Sequence, residues 1–478
     1  MDQISVQRQV GKGALLLLWR QIFVHTINIG GSITIARILL PSDFGIFAIF
    51  NFFTSFISIF SELGLGASLI QQKEKPTTDQ FHAVFTIQLI ISIILVVIIW
   101  FCAPLIVSFY HLKIEQVWQI RAIIFILPIS FFQSIHNIQL ERDLQFSKIS
   151  FVEISQSIAY QLIMVFCALA GFKIWTFIVG GLLRSVIGAC FITVISKYRP
   201  KLYFNFSIVL KKIEFGFLYQ SSTILSFVKD SIVPIFIGFF IGSSAVGYIG
   251  WASMLAAYPI LGISALNRLY LPSFSLMRND KEKLIILLEK IFFWIHAVVA
   301  PLTIIIVVFV RPITMIIYKS YWMPAIPLVL LFCIGNILIA SSGPCMGLLN
   351  ALGKPNRTLY YTTLWAVLSW LLGVPLLKLY GLKGFGIAQV IINFSNLALI
   401  FECQKIIPFR LWSNVFSLWL SALLIGLIFY FLLNLYPAIS LLSLVLHIFL
   451  FIGAFLLLVF ISMGKVIKTD LLSIWRKT

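Results

Sequence analysis

The sequence predicts an all-α integral membrane protein with about fourteen transmembrane helices. Of its 478 residues, 60% are hydrophobic and 11% are charged, and the mean hydropathy is +1.04. Soluble domains have about 45–50% apolar and about 25% charged residues. Apolar runs long enough to cross a bilayer core of about 30 Å recur from Leu15 to Met463 with only short polar interruptions. These two observations leave no stretch of chain for a soluble domain.

Each predicted helix is an apolar segment of roughly the 20 residues that a bilayer crossing needs. In order, the predicted segments cover residues 15–40, 44–60, 81–110, 122–138, 149–171, 174–195, 213–241, 246–271, 284–310, 324–349, 359–379, 386–401, 411–433 and 438–463.

A weak internal repeat predicts how these helices are grouped. The segment 40–48 matches 242–250, with Gly45 aligned to Gly247, and the segment 101–110 matches 309–318. An even number of helices per repeat predicts two six-helix lobes of the same topology around a central cavity. The predicted divisions are an N-terminal lobe at 1–196 (helices 1–6), a cytoplasmic linker at 197–212, a C-terminal lobe at 213–404 (helices 7–12), and helices 13–14 with a tail at 405–478. The alternative is a chance match of small and aromatic residues.

The net charge of +19 indicates membrane orientation and not nucleic-acid binding, because the basic residues are spread over short loops and helix ends. Most of them fall in loops on one side, which predicts that both termini and the 197–212 linker are cytoplasmic. That linker mixes apolar with basic residues, so it either lies on the anionic inner leaflet and contacts membrane lipids or is an ordinary connection.

The sequence lacks motifs for several kinds of chemistry. It has no GxxxxGK[ST] loop, no HExxH and no Cys/His ligand set, so we expect no cofactor and no metal site. The six cysteines fall in or beside apolar segments and are interpreted as buried small hydrophobes. The loops are too short for a catalytic domain, and we therefore predict that the protein is not an enzyme.

Polar residues inside the first predicted helix are the first candidate site. Ionisable groups at a helix centre cost about 2.5–3.5 kcal/mol on insertion scales, so each is a functional candidate. Gln21, His25, Asn28 and Ser32 share one face, with Arg20 beside it. The stripe either lines a cavity, where Arg20, His25 and Asn28 would bind substrate, or makes hydrogen bonds between helices.

Lys229 and Asp230 in the seventh helix, with Arg184 in the sixth, are the other deep charges. Sequence neighbours point about 100° apart, so Lys229 and Asp230 are not expected to neutralise each other. We predict that Lys229 and Arg184 bind substrate and that Asp230, level with Asn28, couples transport to an ion. A purely structural pairing with other helices is the alternative. A cationic cavity suits a phosphate-bearing substrate.

Six short motifs lie at or near the predicted loops: ARILLPSDFG at 36–45, SELGLG at 61–66, APLIVSFY at 103–110, LERDLQF at 140–146, YKSYWMPA at 318–325 and NALGKP at 350–355. They resemble motifs of the polysaccharide flippases (Wzx-like) of the multidrug/oligosaccharidyl-lipid/polysaccharide (MOP) exporter superfamily. The resemblance runs through most of the chain, although most of the motifs mark turns and not chemistry.

The resemblance implies a MATE-like fold in the bacterial cytoplasmic membrane. It implies alternating-access transport of undecaprenyl-pyrophosphate-linked oligosaccharide from the inner to the outer leaflet, coupled to H⁺ or Na⁺. The family's cationic cavity would fall on Arg20, His25, Arg184 and Lys229. A polysaccharide polymerase and glycosyltransferases are the implied partners, and the products include O-antigen, lipopolysaccharide or exopolysaccharide.

Two other functions remain open at this point. A drug/cation antiporter could share the fold, but its organic cations favour an acidic or aromatic pocket. A membrane-embedded glycosyltransferase or ligase would need a larger outer loop than this chain has. A passive channel would need a ring or filter sequence, which is absent.

Overall fold

The computed structural model describes residues 3–62, 64–72, 74–196, 198–205, 220–221, 223–261 and 267–475. Within these ranges every regular element is helical. The chain divides into two compact units, Met1–Gly247 and Tyr248–Thr478. Part of the predicted 197–212 linker, residues 197 and 206–212, lies outside the described residues, and the predicted lobe boundaries stay predictions.

The described residues of the first unit form nine helices and the start of a tenth. They are α1 (Gln3–Ile38), α2 (Pro41–Glu62), α3 (Leu65–Gln71), α4 (Thr78–Phe109), α5 (Gln116–Ile123), α6 (Ile126–Arg142), α7 (Phe146–Leu169), α8 (Trp175–Ile195), α9 (Thr223–Phe240) and α10 (Ser243–Leu261). Helix α4 begins where the Thr77 side chain accepts a hydrogen bond from the Gln80 amide, which satisfies one of the free donors of its first turn. A π-helical turn in α9, Val233–Ile237, contains Pro234, a residue that cannot donate in a regular helix.

The loops that connect the helices of the first unit are packed at one end and line a cavity at the other. At one end Arg142 donates to the backbone carbonyls of Ile70, Gln72 and Glu74, which holds the α3–α4 loop against α6. The opposite end carries the α1–α2, α4–α5 and α7–α8 connections, which line one cavity. Between the ends, α7 packs on α1 and α8, and α6 packs on α4 and α8.

Gly45 and Gly247 make a reciprocal close contact inside the first unit. A Cβ atom on Gly45 would lie 1.7 Å from the carbonyl oxygen of Ser243, and one on Gly247 would lie 1.9 Å from that of Pro41. Such distances are far below van der Waals contact, so only glycine permits this approach of the two backbones.

The described residues of the second unit form the rest of α10 and seven further α-helices, with a π-helical turn at Ile313–Ile317 and a 3₁₀ turn at Ser320–Ala325. They are α11 (Asn267–Met277), α12 (Lys281–Pro312), α13 (Ile326–Ala351), α14 (Pro355–Phe394), α15 (Asn396–Ile406), α16 (Leu411–Leu435) and α17 (Leu441–Trp475). Inside α14, Gly381 has φ 60° and ψ −146°, which is non-helical and favours glycine. The helix is therefore interrupted there.

The described residues include twelve helical segments long and apolar enough to cross a membrane. One of these, Pro355–Ile406, has 52 residues and is divided by the interruption at Gly381, so it supplies two passes. The 36-residue α1, which is not among the twelve, is also long enough for a crossing. The all-α, multi-pass membrane fold with about fourteen helices is thus confirmed.

Candidate functional site

A cavity of about 550 Å³ lies within the first unit, between α1, α2, α6, α7 and α8. Polar side chains make up much of its wall. Those relevant to binding are Asn51, Thr54, Gln133, Glu153, Tyr160 and Arg184. The volume is within the range of about 300–1,000 Å³ usual for ligand pockets.

Arg184 is the cation on this wall. Its side chain is exposed, and its guanidinium carbon lies 5.2 Å from the centroid of the Tyr160 ring, a cation–π distance. The Tyr160 ring therefore interacts with the guanidinium charge, whose N–H groups can donate to an anion in the cavity.

A pair of glutamines positions the helix that carries Arg184. Gln133 and Gln156 exchange two side-chain hydrogen bonds, at 3.2 and 2.9 Å. Gln156 also donates to the backbone carbonyl of Arg184 at 3.2 Å. Gly188 makes room for this contact, since a Cβ atom there would lie 1.4 Å from Gln156 Nε2. Helices α6, α7 and α8 are thus joined at the level of Arg184.

Arg20 does not line this cavity itself, but it forms an ion pair with Glu153, which does. The Arg20 guanidinium donates to the carboxylate of Glu153, which lines the wall. The Arg20 side chain is 12% exposed and the Glu153 side chain 39%. Arg20 is therefore largely removed from solvent, and the Glu153 carboxylate compensates its charge in a low-dielectric setting where an unpaired charge is costly.

Asn28 and His25 have mainly structural partners in this conformation. Asn28 Oδ1 accepts a hydrogen bond from Gln161 on α7 at 3.0 Å. His25 Nε2 lies 3.4 Å from Gln21 Nε2, one turn earlier on the same helix. For Asn28 the observed contact is the interhelical hydrogen bond that the sequence left open as the alternative.

Lys229 and Asp230 form an ion pair with each other, with Nζ 3.1 Å from Oδ1. The expectation that these neighbours do not neutralise each other is wrong. A lysine side chain is long and flexible enough to curl back across the 100° that separates the two Cβ directions. The side chains are 38% and 73% exposed, and the described wall of the 550 Å³ cavity contains neither residue.

Two further arginines lie in or beside predicted helices: Arg121 just before the 122–138 segment and Arg268 within 246–271. Arg121 lies 4.9 Å from the Trp100 ring centroid and 5.0 Å from that of Trp118, and it does not line the 550 Å³ cavity. The side chain of Arg268 is outside the described part of the structure.

Sequence reasoning missed Glu153 and the Gln133–Gln156 pair. Glu153 lies inside the predicted 149–171 segment, so the criterion that selected Arg184, an ionisable residue within an apolar span, also selects it. No comparable signal marks the glutamines, because their role depends on three helices meeting.

Comparison with known proteins decides the family. The model of the family described as "Polysaccharide biosynthesis protein" matches residues 34–327, more than half of the chain. The chain belongs to this family. Teichuronic acid biosynthesis protein TuaB of Bacillus subtilis is 26% identical over 346 residues, which cover 70% of this chain and 68% of that protein.

Two solved structures share the fold. "Lipid II flippase MurJ, inward closed conformation" aligns over 97% of this chain and 100% of its own, with a TM-score of 0.69 and 14% identity. An inward-facing multidrug resistance MATE family transporter of the MOP superfamily aligns over 83% and 98%, with a TM-score of 0.63 and 18% identity. The solved structures that share this fold are a flippase and a transporter and not enzymes, and the chain is a multi-pass membrane protein.

Proposed function

We propose that this member of the polysaccharide biosynthesis protein family moves an undecaprenyl-pyrophosphate-linked oligosaccharide from the inner to the outer leaflet by alternating access. The observation that carries the proposal is the exposed Arg184 guanidinium on the wall of an intramembrane cavity. The likeness of the fold to a protein titled a lipid II flippase supports the same substrate class.

The cavity has the groups that a diphosphate requires. Arg184 presents several N–H donors in a plane, which matches the geometry of phosphate oxygens. Arg20 adds a second cation, held by Glu153. An incoming diphosphate would compete with the Glu153 carboxylate for Arg20, so the ion pair would compensate the Arg20 charge while the cavity is empty and release a donor when cargo arrives.

In this proposal both termini are cytoplasmic, and H⁺ or Na⁺ drives the cycle. Lys229 joins the cargo-binding cations in another stage of the cycle, when its pair with Asp230 opens. Asp230 then accepts the coupling ion, which its exposed carboxylate allows. The polymerase and glycosyltransferases that handle the same glycan are the proposed partners.

The first experiment deletes the gene in its native host and locates the lipid-linked glycan. The expected result is completed glycan retained on the inner leaflet while its synthesis continues. Glycan assembly that stops before completion would indicate an enzyme and contradict the proposal. Loss of organic-cation export with normal glycan transfer would indicate a drug antiporter.

The second experiment measures glycan transfer in the deletion strain that expresses Arg184 variants. Arg184→Gln should lower transfer roughly tenfold or more, because it removes a charge-assisted contact with the diphosphate. Arg184→Lys should keep part of the activity. Arg121→Gln is the matched control and should transfer normally, and equal losses for Arg121→Gln and Arg184→Gln would remove Arg184 from substrate binding.

A further inference from the structure

The membrane span formed by α5 and α6 is broken beside α4. Gln116–Arg142 is long and apolar enough for one crossing, but α5 ends at Ile123 and α6 begins at Ile126. Pro128 has no N–H to donate to the carbonyl of Ile124, four residues earlier, and its ring crowds that carbonyl. A groove of about 350 Å³ lies at this break, between the span and α4.

Every side chain that lines this groove is apolar or aromatic. The lining residues are Ile93, Val96, Val97, Trp100, Phe101, Phe125 and Pro128. From Phe101 to Ile93 the lining extends about 12 Å along α4, at about 1.5 Å per residue, and it runs away from the α4–α5 connection. A groove of this kind suits a hydrocarbon chain that enters near the membrane surface and extends toward the centre of the bilayer.

Arg121 lies at the end of the groove nearest to the α4–α5 connection. Its guanidinium carbon is 4.9 Å from the ring centroid of Trp100, which lines the groove, and 5.0 Å from that of Trp118. The Trp118 side chain is exposed. Indole side chains are enriched at the interface between membrane and water. The two indoles therefore place Arg121 at the level of the lipid headgroups.

The charge of Arg121 has no counter-ion in the part of the chain that the structure describes. Its Nε donates to the backbone carbonyl of Trp100 at 3.3 Å, and no described carboxylate forms an ion pair with it. Arg121 is half-buried, and its two Nη atoms are not among the buried polar atoms that lack a partner. Because a cation in a membrane is costly without an anion, these accessible donors suit an anion that the bilayer supplies.

We propose that Arg121 and the adjoining groove bind one anionic phospholipid of the surrounding membrane, of the phosphatidylglycerol type. The Nη groups of Arg121 donate to the phosphodiester oxygens, and one acyl chain fills the groove. The predicted orientation puts this lipid in the outer leaflet.

Charge complementarity selects this lipid over others. One uncompensated cation matches the single negative charge of phosphatidylglycerol. Phosphatidylethanolamine brings an additional ammonium group, and no described carboxylate is paired with Arg121 to receive it. A pyrophosphate-linked cargo carries more negative charge than Arg121 alone compensates. The lipid site therefore goes beyond the proposed transport function and does not depend on it.

The test measures lipid binding to the full chain, released from detergent micelles, by native mass spectrometry. The probes are dioleoyl phosphatidylglycerol and dioleoyl phosphatidylethanolamine, and the competitors are undecaprenyl phosphate and glycerophosphoglycerol, which has the headgroup without acyl chains. We expect phosphatidylglycerol to bind at least fivefold more tightly than phosphatidylethanolamine, and neither competitor to displace it at equal concentration. Equal affinities for the two phospholipids, or displacement by either competitor, overturn the site.

Two variants connect the binding to Arg121 and to the groove. Arg121→Gln should weaken phosphatidylglycerol binding roughly tenfold, because it removes a charge-assisted hydrogen bond. Val97→Trp should weaken it as well, because the indole would occupy the groove. Wild-type affinity for phosphatidylglycerol in either variant would refute the site.

Each variant has a matched control. Arg311→Gln removes the same charge from an exposed arginine in the last turn of α12, and Ile94→Trp adds the same indole to an exposed residue of α4 that does not line the groove. Both controls should bind phosphatidylglycerol as the wild type does, and losses equal to those of the test variants would refute the site. Val97 is 48% exposed, so Val97→Trp should fold and keeps the test decisive if Arg121→Gln does not.

The outcomes separate this site from the transport proposal. The groove and the 550 Å³ cavity share no lining residue, so Val97→Trp should lose phosphatidylglycerol binding and keep glycan transfer. Lipid binding that depends on Arg121, in a protein whose deletion leaves glycan transfer intact, supports the site and refutes the flippase. Transfer that depends on Arg184, with lipid binding indifferent to Arg121→Gln, supports the flippase and refutes the site.

Discussion

Glu153→Gln should lower the free energy of unfolding, because it leaves the Arg20 charge buried without its partner. The two groups form an ion pair in which Arg20 is 12% exposed and Glu153 is 39% exposed. Breaking a fully buried pair by removing one partner costs about 3–5 kcal/mol, and an exposed pair is worth about 0–1 kcal/mol. Because Glu153 faces a cavity and is more than a third exposed, we expect a loss between these limits, about 1–3 kcal/mol, for Glu153→Gln.

A double-mutant cycle measures this coupling. Arg20→Gln, Glu153→Gln and the double variant are unfolded thermally or with denaturant in detergent micelles, and the free energies are compared. The double variant should be more stable than the sum of the two single losses predicts, because it leaves no unpaired charge. Arg357 and Glu402 provide a more exposed pair, 60% and 23%, for which a smaller coupling of about 0–1 kcal/mol is expected.

Additive losses at Arg20 and Glu153 would refute the reasoning. They would mean that solvent in the cavity already screens both charges, and that Glu153 does not hold Arg20 between transport cycles. A coupling equal to that of Arg357 and Glu402 would lead to the same conclusion.

Three further predictions concern the fold. Gly45→Ala should destabilise the protein by about 1–3 kcal/mol or more, because the new Cβ would overlap the rigid carbonyl of Ser243; an unchanged thermal midpoint would contradict the close contact. Trp419→Phe removes the N–H that donates to buried His296 Nδ1 at 3.0 Å, and should lower the free energy of unfolding by about 1–3 kcal/mol. The double variant Trp419→Phe/His296→Leu should regain much of that stability, because no buried Nδ1 is left without its donor. Hydrogen bonds from Lys283 at the start of α12 hold the pKa of Asp280 below its usual value. The Asp280 carboxylate therefore stabilises the fold above the ordinary aspartate pKa, and this stabilisation is lost as the pH falls through the lowered pKa of the folded state. The thermal midpoint of Asp280→Asn should accordingly drop less between pH 6 and pH 3 than that of the wild type.

The sequence by itself determined the membrane fold and the deep cations. Apolar length is a property of consecutive residues, so the spans and their approximate number follow from hydropathy alone. The cost of a charge in a bilayer likewise singles out Arg184 and Arg20 without any knowledge of their neighbours.

Only the tertiary structure decided which groups meet. Arg20 and Glu153 are 133 positions apart, as are Asn28 and Gln161, and no local pattern connects either pair. At Lys229 and Asp230 the sequence-based prediction was wrong in the other direction. Helix geometry predicted that the two side chains point apart, whereas the flexible lysine side chain brings its Nζ to 3.1 Å from Asp230 Oδ1.

The 980 Å³ cavity at the α1–α2, α4–α5 and α7–α8 connections is likewise a feature that only the tertiary structure decided. Its lining comes from three connections separated by many residues. Among the described residues the buried Gln119 Oε1 has no hydrogen-bond partner, which is recognisable only when its surroundings are known. Composition and periodicity describe how one helix meets the bilayer. The positions of partners depend on the packing of several helices, because burial and hydrogen bonding are properties of the assembled chain.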